Sequence, residues 1–233
     1  METMIILALE TATAHQSVAV FQGPRLLACL ECETGRTLTS QLLPTIDRLL
    51  TSVSLQASDL EGLAVSMGPG TFTGLRAGLA TVTAFRFALN IPLVGVPTLE
   101  GLVWNQPCSD LPLLSTVRIR PGIMYWGLFR WVAQQLVCFK EVQIGDVAEV
   151  LGAVSEPTLI LGDGWMENRH SAGPEAFPLI KAPASGIWPS AKGIGLAGQS
   201  LLAKGTFLPQ GCTPLYIQPT HAELSISNRF DSN

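Results

Sequence analysis

Ser66-Met67-Gly68-Pro69-Gly70-Thr71-Phe72-Thr73-Gly74-Leu75-Arg76 is the stretch on which the reading of this chain turns. Leu63-Ala64-Val65 leads into it as a short apolar strand, and residues 79–90, without Gly or Pro, lead out as a helix. Glycine lets backbone approach a ligand closely. A glycine loop entering a helix offers N–H groups and the positive end of the helix dipole to an anion, phosphate first. The spacing fits neither common phosphate motif. Gly68 and Gly74 are one residue too far apart for a P-loop, and Leu75-Arg76 follows where Gly must be followed by Lys. Gly68, Gly70 and Gly74 give G-x-G-x-x-x-G, not the dinucleotide G-x-G-x-x-G. The loop reads either as a binding loop or as a structural strand-to-helix turn.

Composition narrows the classes. The 233 residues are 47% hydrophobic and 14% charged, enough for a substantial core in one large or two small domains. No apolar run approaches the ~20 residues that span a bilayer. Residues 4–9 (MIILAL) lack the basic flank and cleavage site of a signal peptide and read as a buried first strand, so a cytoplasmic location is expected. Net charge is −4, with 9 acids and 5 bases up to Asp110 and 9 of each beyond it. A chain without a Lys/Arg cluster is a poor gripper of phosphate backbones, so nucleic acid is expected to be met through a partner. The five cysteines are odd in number and scattered, which argues against a disulfide framework. Cys29 and Cys32 lie three apart on a strand, facing opposite sides, and do not make a metal pair.

Outward from the loop, the first half reads as strands at 4–9, 17–22 and 25–33, a helix around Leu42, Ile46, Leu49 and Leu50, a strand at 63–66, the loop and its helix, a strand at 93–96 and a short helix. Thr39 or Ser40 is a candidate cap for the first helix, and Pro44 unsettles its start. The second half runs as strands at 113–117, 124–131 and 135–142, a helix from 146 to 151 ended by Gly152, and a strand at 158–161. A glycine turn at 162–164, an irregular loop at 173–189, a helix over 190–204 and a short extended piece at 215–218 complete it. The order strand-strand-strand-helix-strand-helix thus occurs twice. On the loop's own helix, Leu75, Leu79, Val82, Phe85 and Leu89 form a bulky stripe for the sheet, and Ala77, Ala80, Ala84 and Ala88 form a small-residue face on the other side. Two apolar faces exceed what a surface helix needs, so the small face is expected to meet the first helix, another protein, or both.

A duplicated βββαβα unit resembles the layout of the actin-like ATPase superfamily. The fold class it implies is α/β, two actin-like (ribonuclease H-like) lobes spanning 1–107 and 108–233. Within it the chain resembles the TsaB (YeaZ) family of partner subunits in bacterial threonylcarbamoyladenosine synthesis. Leu7-Ala8-Leu9-Glu10-Thr11-Ala12-Thr13 is similar to that family's LAIDTAT opening, and residues 68–76 are similar to its GPGSFTGxR signature. Val94-Gly95-Val96-Pro97-Thr98-Leu99 is similar to its GVSTL segment. Beyond residue 100 the likeness thins to Tyr125-Trp126, Gly162-Asp163-Gly164-Trp165 and Pro214-Leu215-Tyr216. Glu10 stands where the family carries Asp, Leu38 where it carries His, Arg118-Ile119-Arg120 where it carries Asp-Ala-Arg, and Ile123 where it carries Glu.

The resemblance implies a non-catalytic scaffold that binds a TsaD-like catalytic subunit through its first two long helices. The expected partner face is Leu42, Ile46, Ala77, Ala80, Ala84 and Ala88. The expected nucleotide- or interface-related set is Glu10, Thr11, Gly68, Pro69, Gly70, Thr71, Phe72, Thr73, Gly74 and Arg76, with Arg76 able to pair with Glu10, a phosphate or a partner. No cofactor is expected on this chain alone, with ATP/ADP and Mg²⁺ at the complex interface. A TsaE-like ATPase is a further implied partner, tRNA is reached only through the complex, and the chain alone is expected to homodimerise. No catalytic or metal residue is assigned. The family's catalytic paralogue holds a metal through H-x-x-x-H, whereas His15, His170 and His221 are far apart here. Ser66 lacks the G-x-S-x-G elbow of a nucleophile. The alternative is a stand-alone actin-fold ATPase or kinase with Glu10 and the glycine loops around the nucleotide. A protease, also associated with the family, has no nucleophile or metal site to support it.

Overall fold

The computed structural model describes residues 3–33, 38–106, 109–173, 178–183 and 188–215. Cys108, the expected boundary at 107/108, the extended piece at 216–218, His221 and the tail lie outside these residues, as do the side chains of Cys32, Leu38, Thr39 and Ser40.

The first half forms β1 (Ile5–Glu10), β2 (His15–Gln22), β3 (Arg25–Glu33), α1 (Leu38–Ser52), β4 (Gly62–Ser66), α2 (Phe72–Leu89), β5 (Leu93–Val96) and α3 (Thr98–Val103). The second half forms β6 (Leu113–Arg120), β7 (Ile123–Val132), β8 (Gln135–Asp146), α4 (Val147–Gly152), β9 (Thr158–Leu161), α5 (Asp163–Asn168), β10 (Ile180–Lys181) and α6 (Ala191–Ala203). The two sheets run β3-β2-β1-β4-β5 and β10-β9-β6-β7-β8. In each, the first three strands form an antiparallel meander and the last two run parallel to the first. The duplicated order expected from sequence is therefore present, as two mixed five-stranded sheets.

Alternation along β1 explains how the first sheet is covered. Leu7 and Leu9 join Val18, Val20, Leu63 and Val65 on one face, beneath Leu42, Ile46 and Leu49 of α1 and Leu79 and Val82 of α2. Ile6 and Ala8 join Phe21, Ala64 and Val94 on the other face, beneath Ile194 and Ala197 of α6. Burying each such Leu or Ile contributes about 1.5–3 kcal/mol. In the second sheet, Leu99 and Leu102 of α3 pack on Val117, Tyr125 and Phe129, while α4 and α5 cover the opposite face through Val147, Val150 and Trp165. The lobes thus exchange helices. Strands β1–β5 precede residue 107 and β6–β10 follow it, but α3 serves the later sheet and α6 the earlier one.

Three local expectations change. α2 begins at Phe72, not near residue 79, because Gly74 and Gly78 lie inside its first turns, where the missing Cβ lets it press on Thr11. The loop at 173–189 contains the two-residue strand β10, and the turn at 162–164 opens α5. α1 starts at Leu38, so Thr39 and Ser40 lie within it, and Pro44 sits in its interior. The helix expected at 146–151 runs Val147–Gly152, with Asp146 as its cap. The Asp146 carboxylate accepts the Glu149 N–H at 2.9 Å while Glu149 Oε2 accepts the Asp146 N–H at 3.0 Å.

Candidate functional site

The parallel strands β1 and β4 end side by side at Glu10 and Ser66. Glu10 is fully buried. Its Oε1 accepts the Ala12 N–H at 2.6 Å, and its Oε2 has no hydrogen-bond partner among the described residues. Burial pushes the Glu10 carboxyl up to about 8; the Ala12 N–H and the nearby Ser66 hydroxyl oppose the shift, and the Asp163 charge adds to it. Glu10 is therefore mostly a neutral acid at pH 7. Ser66 is buried as well, and its Oγ accepts the Thr11 N–H at 3.1 Å, which makes it a strand-end tie.

The glycine loop is closed against the β1–β2 turn. Thr71 N–H donates to the Ala12 carbonyl at 2.6 Å, and Thr98 N–H donates to the Gly68 carbonyl at 2.8 Å. A Cβ at Gly70 would overlap the Ala12 carbonyl, one at Gly74 the Thr11 carbonyl, and one at Gly78 the Thr11 hydroxyl. Gly70 and Gly74 thus let the start of α2 press on the backbone of residues 11–12, and Gly78 makes room for the Thr11 side chain. Gly68, at φ +108°, and Pro69 are buried beneath this contact, while Thr71, Phe72 and Thr73 are exposed at the start of α2. The Arg76 guanidinium stacks over the Phe72 ring, 4.2 Å from its centre.

The second lobe brings a second acid near Glu10. Asp163, the first residue of α5, is buried and accepts the Arg118 N–H at 2.9 Å. Burial raises its carboxyl above the usual range, opposed by the Arg118 amide and, more weakly, by His15; the Glu167 charge adds to the rise. The Arg118 Nε pairs with Glu167 at 2.7 Å, both half-exposed. His15 stacks on Trp188 with ring centres 4.1 Å apart, and His170 is exposed on the far side of α5 in sequence. Among the described residues, no group of three or more His, Cys, Asp or Glu is placed to hold a metal by itself.

The outer face of α2 is different in kind. Ala80, Ala84 and Ala88 are exposed and Ala77 is half-buried. Phe87 is 64% exposed, Phe72 39% and, on neighbouring α1, Leu43 58%. Leu42 and Ile46 are not part of this face. Both are buried in the first core, because their helical spacing turns them onto the sheet and leaves Leu43 outside.

Of the residues that the sequence groups, Gly70, Thr71 and Gly74 meet Thr11 and Ala12, whereas Phe72, Thr73 and Arg76 lie exposed at the start of α2, with Arg76 on Phe72 and not on Glu10. Sequence reasoning missed Asp163, whose signal was the repeat itself: a glycine turn follows β9 as one follows β4. It also missed Phe87, which lies three residues beyond Ala84 on the same helical face.

Residues 32–180 match the family model described as TsaD: tRNA N6-adenosine threonylcarbamoyltransferase. Over 182 residues the chain is 31% identical to the tRNA threonylcarbamoyladenosine biosynthesis protein TsaB of Haemophilus influenzae, covering 71% of this chain and 74% of that protein. Over 171 residues it is 28% identical to the protein of the same name from Buchnera aphidicola, covering 69% and 79%. Among solved structures, YeaZ from Pseudomonas aeruginosa superposes with a TM-score of 0.74 at 22% identity, covering 92% of this chain and all of that one. That likeness confirms the actin-like fold.

Proposed function

The chain belongs to the TsaB (YeaZ) family, and from that premise we propose that it takes part in forming threonylcarbamoyladenosine on tRNA as a non-catalytic subunit, docking a TsaD-like catalytic subunit on the outer face of α1 and α2. The observation that carries this reading is that face: exposed alanines flanked by Phe87, Phe72 and Leu43, on helices whose other sides are already buried. Small residues let a partner helix approach closely, and exposed aromatics are the usual anchors of an interface. The assembled complex would transfer threonylcarbamoyl from its AMP ester to the adenosine beside the anticodon. This chain would hold the catalytic subunit in shape for that step.

The site agrees with such a division of labour. Glu10 and Asp163 are buried and biased toward their neutral forms, and the glycine loop packs closely on the turn after β1. ATP or ADP with Mg²⁺ would accordingly need groups from the partner. A TsaE-like ATPase and tRNA would reach this chain through the catalytic subunit, consistent with the net charge of −4. Without that subunit, the same apolar face would pair two copies of the chain. No helix among the described residues is long and apolar enough to cross a membrane, and the cytoplasm is the proposed location.

The stand-alone ATPase reading has one observation in its favour, the unpartnered Glu10 Oε2 in the interior. Calorimetry with ATP and Mg²⁺, with and without the catalytic subunit, separates the two: tight binding and turnover by this chain alone would favour the ATPase. The docking face is tested by co-purification with the catalytic subunit. Ala80→Arg should abolish it, and an unchanged yield would remove the proposed face.

A further inference from the structure

After α6 the described chain continues through residues 206–215 without regular secondary structure, yet it touches three parts of the first lobe. At the open edge of the first sheet, Leu208 N–H donates to the Leu93 carbonyl of β5 at 2.8 Å. At the entrance to the glycine loop, Leu215 N–H donates to the Met67 carbonyl at 2.7 Å. From α2, Arg86 Nη1 donates to the Leu208 carbonyl at 2.9 Å and the Pro209 carbonyl at 3.3 Å. The half-buried side chains of Leu208 and Cys212 pack on the first core. Gly95 and Gly68 leave the room: a Cβ at Gly95 would sit 3.0 Å from Leu208 Cδ1, and one at Gly68 would sit 2.6 Å from the Leu215 carbonyl oxygen. Between these anchors, Gln210, Gly211 and Thr213 are exposed. Few anchors separated by solvated residues describe a segment that opens locally before the sheet does.

Arg86 lies on α2 close to the arc of Val82 and Leu79, away from Ala80 and Ala84. It therefore reaches Leu208 and Pro209 of this strap from the side of α2 away from Ala80, Ala84 and Ala88. We propose that residues 206–215 are a latch coupling α2 to the glycine loop, with Arg86 as its positioning residue, so that latch engagement and docking of the catalytic subunit reinforce one another. This rests on the docking reading above. Coupling of this kind is reciprocal: an engaged latch tightens docking, and docking slows latch opening.

Cys212 is a free, half-buried thiol within the strap and reports its opening. The test is alkylation by iodoacetamide, resolved by peptide, on the full chain alone and with the TsaD-like subunit, for wild type, Arg86→Met and Leu208→Ser. Leu208→Ser is included because it opens the strap without touching the α2 face. Both variants should alkylate Cys212 about tenfold faster and bind the catalytic subunit about tenfold more weakly, within the usual range of coupling. Saturating wild type with that subunit should slow Cys212 by a similar factor. Cys29, packed against the second core cluster, should keep its wild-type rate. Unchanged Cys212 rates in both variants, or a Cys29 rate that rises in step, would overturn the latch. Faster Cys212 with wild-type affinity would overturn the coupling while leaving docking intact. Failure of wild type itself to bind would remove the docking reading and the coupling with it.

Discussion

Among the described helices α2 and α6 are the two richest in small residues, and they use them differently. In α6, Gly193, Gly195 and Gly198 are buried, and a Cβ at these positions would overlap the Gly101 carbonyl or the Phe21 ring, or lie 2.5 Å from the Ala64 methyl. In α2, Gly74 and Gly78 make the corresponding close contact with Thr11, while Ala80, Ala84 and Ala88 face outward. A glycine inside a helix costs about 1 kcal/mol relative to alanine, so its retention points to a contact too tight for a methyl group. Alanine carries no such cost, being the best helix former, and an exposed alanine alone says little. What distinguishes the α2 face is the company of Phe87, Phe72 and Leu43, large apolar side chains left outside a complete core.

The widest separation between the two helices is expected in stability. Gly195→Val should destabilise the fold by about 3 kcal/mol in urea denaturation, since the Phe21 ring cannot yield to a branched side chain. Ala84→Val should stay within about 0.5 kcal/mol of wild type, as surface changes do. Equal losses would erase the distinction. Binding should reverse the ranking. Ala84→Arg should weaken association with the catalytic subunit about 100-fold in calorimetry, roughly 2.7 kcal/mol, with its melting temperature unchanged. Phe87→Ala sharpens the same point at about tenfold, the loss of one aromatic anchor.

A further test concerns the turn on which the α2 glycines rest. The folded Glu10 carboxyl, pushed up to about 8 from 4.5, keeps a proton that the unfolded chain has released between those values. Stability should fall as pH rises through that window, with a slope of at most about 1.4 kcal/mol per pH unit, and level off above it. Asp163, also raised, acts in the same sense. Glu10→Gln cannot ionise and should flatten the curve of melting temperature against pH. A wild-type curve already flat from pH 5 to 8 would mean that Glu10 is not held neutral.

Much of the fold was legible because strand alternation and helical stripes are local. The meanders, β4, β5 and the apolar stripe of α2 follow from residue type and spacing alone. What escaped depended on neighbours distant in sequence. The start of α2 was set too late because Gly74 and Gly78 look like loop residues until Thr11 is seen beneath them. β10 is two residues long, held by pairing with Thr158 and Leu159, and carries no pattern of its own. Leu42 and Ile46, expected on the partner face, lie in the first core instead, because a helix's apolar stripe does not announce whether a sheet or a partner covers it. The glycine loop stands out by composition, but its contact with residues 11–12 needs the third dimension.

The exchange of α3 and α6 also bears on how the chain is made. The underside of the first sheet, Ile6, Ala8, Phe21 and Val94, is roofed by a helix whose last residue is Ala203. On the ribosome, then, the first sheet stays open on one face until α6 has been made, about a hundred residues after the last of its strands. Chains cut before α6 should be sticky rather than half-functional, because the first lobe cannot close without a helix made after the second sheet.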